Sequence, residues 1–133
     1  MKERLRFVSF HLDRLPSGEC RARVTLSWPH GGRFDGEARG LASQAGELRC
    51  AAQACLLALS QAIKDPAFEL IGVKAVRAFD TSVVIVSLGQ QGHSEAPRVV
   101  GSYLVEADAP RGAALAVLNA TNRLLSRTTA PKI

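Results

Sequence analysis

Few side chains in this 133-residue sequence stand where chemistry would need them. The three histidines, His11, His30 and His93, fall singly on an expected strand and two loops. No His-x-x-x-His or Cys-x-x-Cys spacing occurs. A metal site needs its ligands grouped in such a way, so none is expected. The cysteines are Cys20, Cys50 and Cys55, and the last two sit five apart on an expected helix. Side chains three or four apart share a helical face, so this pair reads as small buried thiols rather than a redox or metal pair. The stretch "GGRFDGEARG" is glycine-rich but lacks the Lys-Ser/Thr ending of a phosphate loop, and there is no Gly-x-Ser-x-Gly elbow. Asp80, Glu106 and Asp108 include residues that can pair in space for acid–base work. Asp80, however, reads as a turn residue and Asp108 as a helix cap. No catalytic residue is assigned, no cofactor is expected, and the chain does not read as an enzyme.

The elements that would position these residues follow from periodicity. Residues 4–13, "RLRFVSFHLD", predict a strand with a bulge, because Phe7, Val8 and Phe10 do not share one face. "LPSGE" is a turn signal. In "CRARVTLSW" the residues Cys20, Ala22, Val24, Leu26 and Trp28 alternate with Arg21, Arg23, Thr25 and Ser27. That is a strand with one buried and one wet face. "RFDGEARG" forms a third, glycine-weakened strand. Residues 47–63 are rich in Ala and Leu and form a helix that Asp65-Pro66 stops. The order then recurs. "FELIGVKAVRAF" is a strand, "DTS" a turn, "VVIVSL" an apolar strand central in its sheet, "GQQGHSEAP" a loop and "RVVGSYLVEA" a third strand. A second helix runs from Asp108, its N-cap, through Pro110 to about Ser126. The tail "RTTAPKI" reads as frayed.

Strand-strand-strand-helix therefore occurs twice. A shift of 62 residues lays Val24 on Val86, Leu26 on Leu88, Arg49 on Arg111, and Ala51, Ala54 and Ala58 on Ala113, Ala116 and Ala120. The expected fold is α+β: one domain over residues 1–133, with repeat one at about 4–65 and repeat two at about 66–128. It holds two three-stranded antiparallel sheets and two packed helices. The alanines recur at helical spacing and open one face of each helix to close approach by another helix or a sheet.

No apolar run approaches the roughly 20 residues of a membrane span. The start "MKERLRFVSF" alternates charge and apolarity, unlike a signal peptide. An odd cysteine count without a secretion signal argues against a disulfide framework. A soluble cytoplasmic protein without membrane contact is expected. The net charge of +5 is spread over single basic positions, and it reads as solubility more than as a nucleic-acid footprint.

The tandem unit ending in "AVLNATNRLL" resembles the C-terminal allosteric, or dimerisation, domain of 2-isopropylmalate synthase, to which citramalate synthase carries a related domain. The likeness spans roughly residues 5–125 and is densest in the second half: "FELIGVKAVRAF", an apolar strand, a glycine-containing third strand, an Asp, then "AxxxLNAxNRLL". Asp108 falls on the Asp that opens the family's second helix, and Asn122 on the Asn near its end. The chain departs from the family in three places. Cys50, Ala51, Ala52 and Gln53 stand where the first helix carries a Gly-Pro-Val-Asp type motif. Asp80-Thr81-Ser82 replaces a Thr-Asp-Ala. The link from Gly101 to Asp108 is longer than usual. A catalytic barrel of about 250 residues has no room here. The resemblance therefore implies a free-standing relative or an excised fragment, and the "MKERLRF" start favours a complete small protein.

What the resemblance implies is a non-catalytic regulatory module. It would form a homodimer, take a small amino-acid effector such as a branched-chain amino acid, and act on a partner enzyme. Helix N-termini attract a carboxylate, so the candidate ligand-binding residues are Asp108, Ala109 and Arg111 at the second helix, with Asp80 and Gln53. The alternative is a small basic nucleic-acid-binding protein. Against it, "GELRCAA" and "DAPRGAA" each offer one Arg and one acid where a double-stranded-RNA-binding helix carries a lysine cluster. The sheets also lack paired exposed aromatics for stacking.

Overall fold

The inward half of the alternation in the second strand is realised from Cys20 to Leu26. Thr25, expected on the wet face, is buried, and Trp28 lies beyond the strand, half-buried. Cys20, Ala22, Val24 and Leu26 have no exposed surface, and their counterparts Val84, Val86 and Leu88 have none either. A computed structural model describes residues 4–93 and 95–128. Its elements are β1 (Arg6–Arg14), β2 (Glu19–Ser27), β3 (Arg33–Leu41), α1 (Gln44–Ala62), β4 (Phe68–Ala78), β5 (Thr81–Gln90), β6 (Val99–Val105) and α2 (Ala109–Thr128). The strands form two three-stranded antiparallel sheets, ordered β1-β2-β3 and β4-β5-β6. This is the α+β, βββα-βββα architecture expected.

The helices form the layer between the sheets. Helix α1 packs on β2 and β3, α2 packs on β5 and β6, and the helices pack on each other. Each also crosses to the other repeat, α1 to β4 and α2 to β1. Alanine makes this possible: Ala51, Ala52, Ala54, Ala58, Ala113, Ala114, Ala116 and Ala120 are all fully buried. A helix surrounded by backbone on several sides has room only for small side chains.

The repeat extends to irregularities. β1 bulges between Phe7 and Ser9, and β4 between Leu70 and Gly72. Phe7 faces Leu26, and Leu70 faces Leu88, so the extra residue enters at the same place in both units. Gly36 lies opposite Val24, and Gly101 opposite Val86. A Cβ on Gly36 would run into the Ala54 carbonyl and the Ala58 nitrogen, and one on Gly101 into the Ala116 carbonyl and Ala120. Glycine in the third strand thus lets each helix lie against its sheet.

Some boundaries differ from the sequence reading. Helix α1 begins at Gln44, three residues before Glu47, because Ser43 caps it and accepts the Gly46 N–H at 3.0 Å. The β4–β5 turn is Phe79-Asp80, both with positive φ (53° and 61°), so Thr81 and Ser82 belong to β5. Helix α2 runs on to Thr128. The rest of the tail read as frayed lies outside the described residues. Among the described residues, no helix is long and apolar enough to cross a membrane.

All three cysteines are free and buried. Cys20 Sγ lies 3.4 Å from Cys50 Sγ and 3.4 Å from the Leu41 carbonyl oxygen. Burial pushes the Cys55 thiol from an ordinary value near 9 up to about 12. Burial first, then the contact with Cys20, does the same for Cys50. Because the neutral thiol is the folded form, this stability is fully present below pH 9 and is lost as the pH rises toward 12. For Cys55 the full displacement corresponds to about 4 kcal/mol. The urea midpoint should therefore hold up to pH 9 and fall above it, with a shallower fall in Cys55→Ala; equal slopes would refute the role given to Cys55.

Candidate functional site

At the start of α2 the Asp108 carboxylate is engaged by its own helix. Its Oδ1 accepts the Arg111 N–H at 3.1 Å, and its carbonyl accepts the Gly112 N–H at 3.1 Å. The first satisfies one of the donors a helix start leaves free, and the second is the first bond of the helix itself. Ala109 is the first helical residue. The Arg111 guanidinium lies 5.2 Å from the centre of the Phe7 ring, a cation–π contact that ties α2 to the first sheet. Asn122 adds a second tie, its Nδ2 donating to the Leu5 carbonyl at 3.2 Å.

Asp80 sits in the β4–β5 turn. Ala78 pairs with Thr81, and Ser82 with Val105, so the turn and the start of α2 share one end of the second sheet. Gln53 is elsewhere. It lines a cleft of about 460 Å³ between α1 and the opposite end of that sheet, with Arg49, Leu56, Phe68, Glu69 and Leu70. Gln53 also borders a second cleft of about 490 Å³ beside the start of α1, with Arg39, Ser43, Arg49 and Cys50. The five predicted residues therefore divide: Asp80, Asp108, Ala109 and Arg111 toward one end, Gln53 toward the other. The first cleft brings together a cation in Arg49, an anion in Glu69, an amide in Gln53 and apolar walls.

The start of α1 holds a group that the sequence reading missed. Glu47 is bound bidentately by Arg14, with Nε at 2.7 Å from Oε2 and Nη2 at 2.9 Å from Oε1. The Glu47 side chain is only 10% exposed, against 69% for Arg14. The hydrogen bond and charge of Glu47 raise the Arg14 guanidinium further above its already high value. An acid in the first turn also suits the helix dipole. Each helix start thus already carries a carboxylate from its own chain. The signal for α1 was Ser43 four residues ahead of Glu47. The partner Arg14 lies 33 residues away from Glu47 and could not be read from spacing.

The outer faces of the two sheets differ most. On the first sheet they carry Asp13, Arg21, Arg23, Asp35, Glu37 and Arg39, cross-strand neighbours in register. Several pair directly: Arg21 with Asp13 at 3.2 Å, Arg23 with Glu37 at 3.0 Å, and Thr25 with Asp35 at 2.5 Å. At the matching places the second sheet has Val76, Val83, Ile85, Val100, Ser102 and Leu104. Val100 and Leu104 are 52% and 65% exposed, and Ile71 and Ile85 are also open to solvent. Phe79, in the turn at the end of this face, is wholly exposed in a left-handed conformation that bulky residues avoid. The chain matches no protein-family model, and no curated protein matches it significantly.

Proposed function

We propose that the protein is a non-catalytic regulatory or dimerisation module of the cytoplasm, resembling the allosteric domain of 2-isopropylmalate synthase and acting on a partner enzyme. One observation carries this reading: the outer face of the second sheet is largely apolar along β5 and β6 where the same face of the first is charged. Both helices bury their alanine faces in the core. The sides they leave open are largely polar, with Arg49, Gln53 and Ser60 beside Leu57 on α1 and Asn119 and Arg123 on α2, so association falls first to the sheets. A large exposed apolar patch on a small domain marks an interaction surface.

The regulatory part of the reading rests on the cleft between α1 and β4. Its opposite charges, Arg49 and Glu69, suit an amino acid's carboxylate and ammonium, and Leu56, Phe68 and Leu70 suit a branched side chain. Light scattering at rising concentration should give a dimer. Calorimetry with leucine, isoleucine and valine should give heat at millimolar concentration that Arg49→Ala abolishes. No heat with any of the three would sink the effector, and a monomer throughout would sink the assembly role. Nucleic-acid binding has less support, since Asp13 and Glu37 engage Arg21 and Arg23 on the most basic face.

A further inference from the structure

We infer that the partner covering the outer face of the second sheet is a second copy of this chain, packed sheet on sheet about a two-fold axis running along β5. The inference rests on the assembly reading above and specifies its partner and geometry.

The tandem repeat is an internal control. Both units share strand order, bulge position and third-strand glycine, so the fold places the same demands on both outer faces. The first unit meets those demands with a largely charged surface in which Arg21 pairs with Asp13 and Arg23 with Glu37, its open apolar residues being Val8 and Leu41 at the margins. Arg21 and Arg23 stand where Val83 and Ile85 stand in the second, and Arg39, opposite Arg21, stands where Leu104 stands opposite Val83. Folding therefore does not require valine, isoleucine and leucine there. Apolar residues left in water on a surface that can be charged mean that something covers them.

The layout of the face points to a copy of itself. A two-fold axis along β5 sets β5 over its own counterpart and β4 over β6 of the partner. Val83 and Ile85 then meet themselves, and Val76, level with Val83 on β4, meets Leu104, level with Val83 on β6. The charges of the face, Glu69 and Lys74, both lie on β4. Lys74 comes to rest over β6, whose residues from Val99 to Val105 carry no charge, and Glu69, level with Gly89, falls just past the start of β6 beside Arg98, so no like charges oppose. Lys74, level with Ile85, faces the hydroxyl of Ser102. An axis laid across the strands at the level of Ile85 would instead set Lys74 against itself. This is the self-complementarity an isologous dimer needs, in the aligned geometry of two packed sheets.

The size is adequate. Three strands about 4.8 Å apart and seven residues long give a face of roughly 14 by 23 Å. Two such faces with their side chains bury on the order of 1,000 Å² in total, where specific interfaces begin.

The test is oligomeric state by light scattering on the full chain, with circular dichroism to confirm folding. The wild type should run at twice the chain mass of 14.2 kDa. Ile85→Arg, which copies the first repeat, should run at once that mass with an unchanged spectrum. Ser102→Glu, which copies Glu37, serves if Ile85→Arg does not fold. Val76→Lys and Leu104→Glu should each be monomeric alone and dimeric when mixed, because only this axis sets residue 76 over residue 104. A wild-type dimer that survives both Ile85→Arg and Ser102→Glu, or a Val76→Lys and Leu104→Glu mixture that stays monomeric, overturns this interface and leaves the assembly reading standing. A wild type that is monomeric at all concentrations overturns both.

Discussion

Gly36→Ala should destabilise the fold by about 3 kcal/mol, and Gly101→Ala by a comparable amount, in urea unfolding. Neither glycine has a positive φ, so the effect comes from space, not from backbone conformation. At Gly36 the added carbon meets the Ala54 carbonyl and the Ala58 nitrogen, which are main-chain atoms of α1. A side chain could swing away, but helix backbone can yield only by lifting α1 off β2 and β3. That movement would loosen the packing of Ala54, Cys55 and Ala58, all fully buried. The entropy gained from removing a glycine, about 0.4–1 kcal/mol, offsets little of this. Gly72→Ala is the control, since nothing lies within 4 Å of its added carbon. If Gly36→Ala and Gly72→Ala unfold at the same urea concentration, the close approach of α1 to β3 is wrong.

Neither repeat should fold alone. A chain ending after residue 65 and one beginning at residue 66 should each show little helical signal by circular dichroism. Mixing them should restore it. The reason is the crossed packing: α1 needs β4 and α2, while α2 needs β1 and α1. The Asn122 to Leu5 hydrogen bond and the Arg111 to Phe7 contact also join the two units. Units of about 60 residues are marginal even with a closed core. Here each half would expose a flank of alanines and Leu or Val that the other half covers. Independent folding of either half, with no gain on mixing, would show that the helices do not share one core.

Much of the fold was legible. Strict alternation in "CRARVTLSW" predicted which residues of β2 go inside, and all of them from Cys20 to Leu26 did. The clash of faces among Phe7, Val8 and Phe10 predicted the β1 bulge. Asp108 capped its helix as its residue type suggests. The start of α1 was less legible, because Ser43 is followed by Gly46, a poor helix former, and the favourable run begins only later. The turn starts one residue and ends two residues earlier than "DTS" suggests, because Phe79 is an unusual choice for a left-handed position, where Asn or Gly is the ordinary signal.

The candidate site was legible only in parts. Asp108 and Arg111 were visible as a helix start, and the cap follows locally, but the contact of Arg111 with Phe7 depends on where β1 meets α2. Arg14 and Glu47 are ordinary surface-type residues in sequence. They become a bidentate pair only because the end of β1 meets the start of α1.

Local order, the period of each element and the tandem repeat were determined by the sequence itself, because alternation and helical spacing are properties of short stretches. Which faces meet was decided only by the tertiary structure. "VVIVSL" shows the difference. A continuous apolar run reads as a strand covered on both sides, and β5 is indeed central in its sheet. Val84, Val86 and Leu88 are covered by this chain's own helices, yet Ile85 and its neighbours Val100 and Leu104 face solvent. A hydrophobic pattern records that a face avoids water; only the packed chain reveals whether it supplies the cover itself.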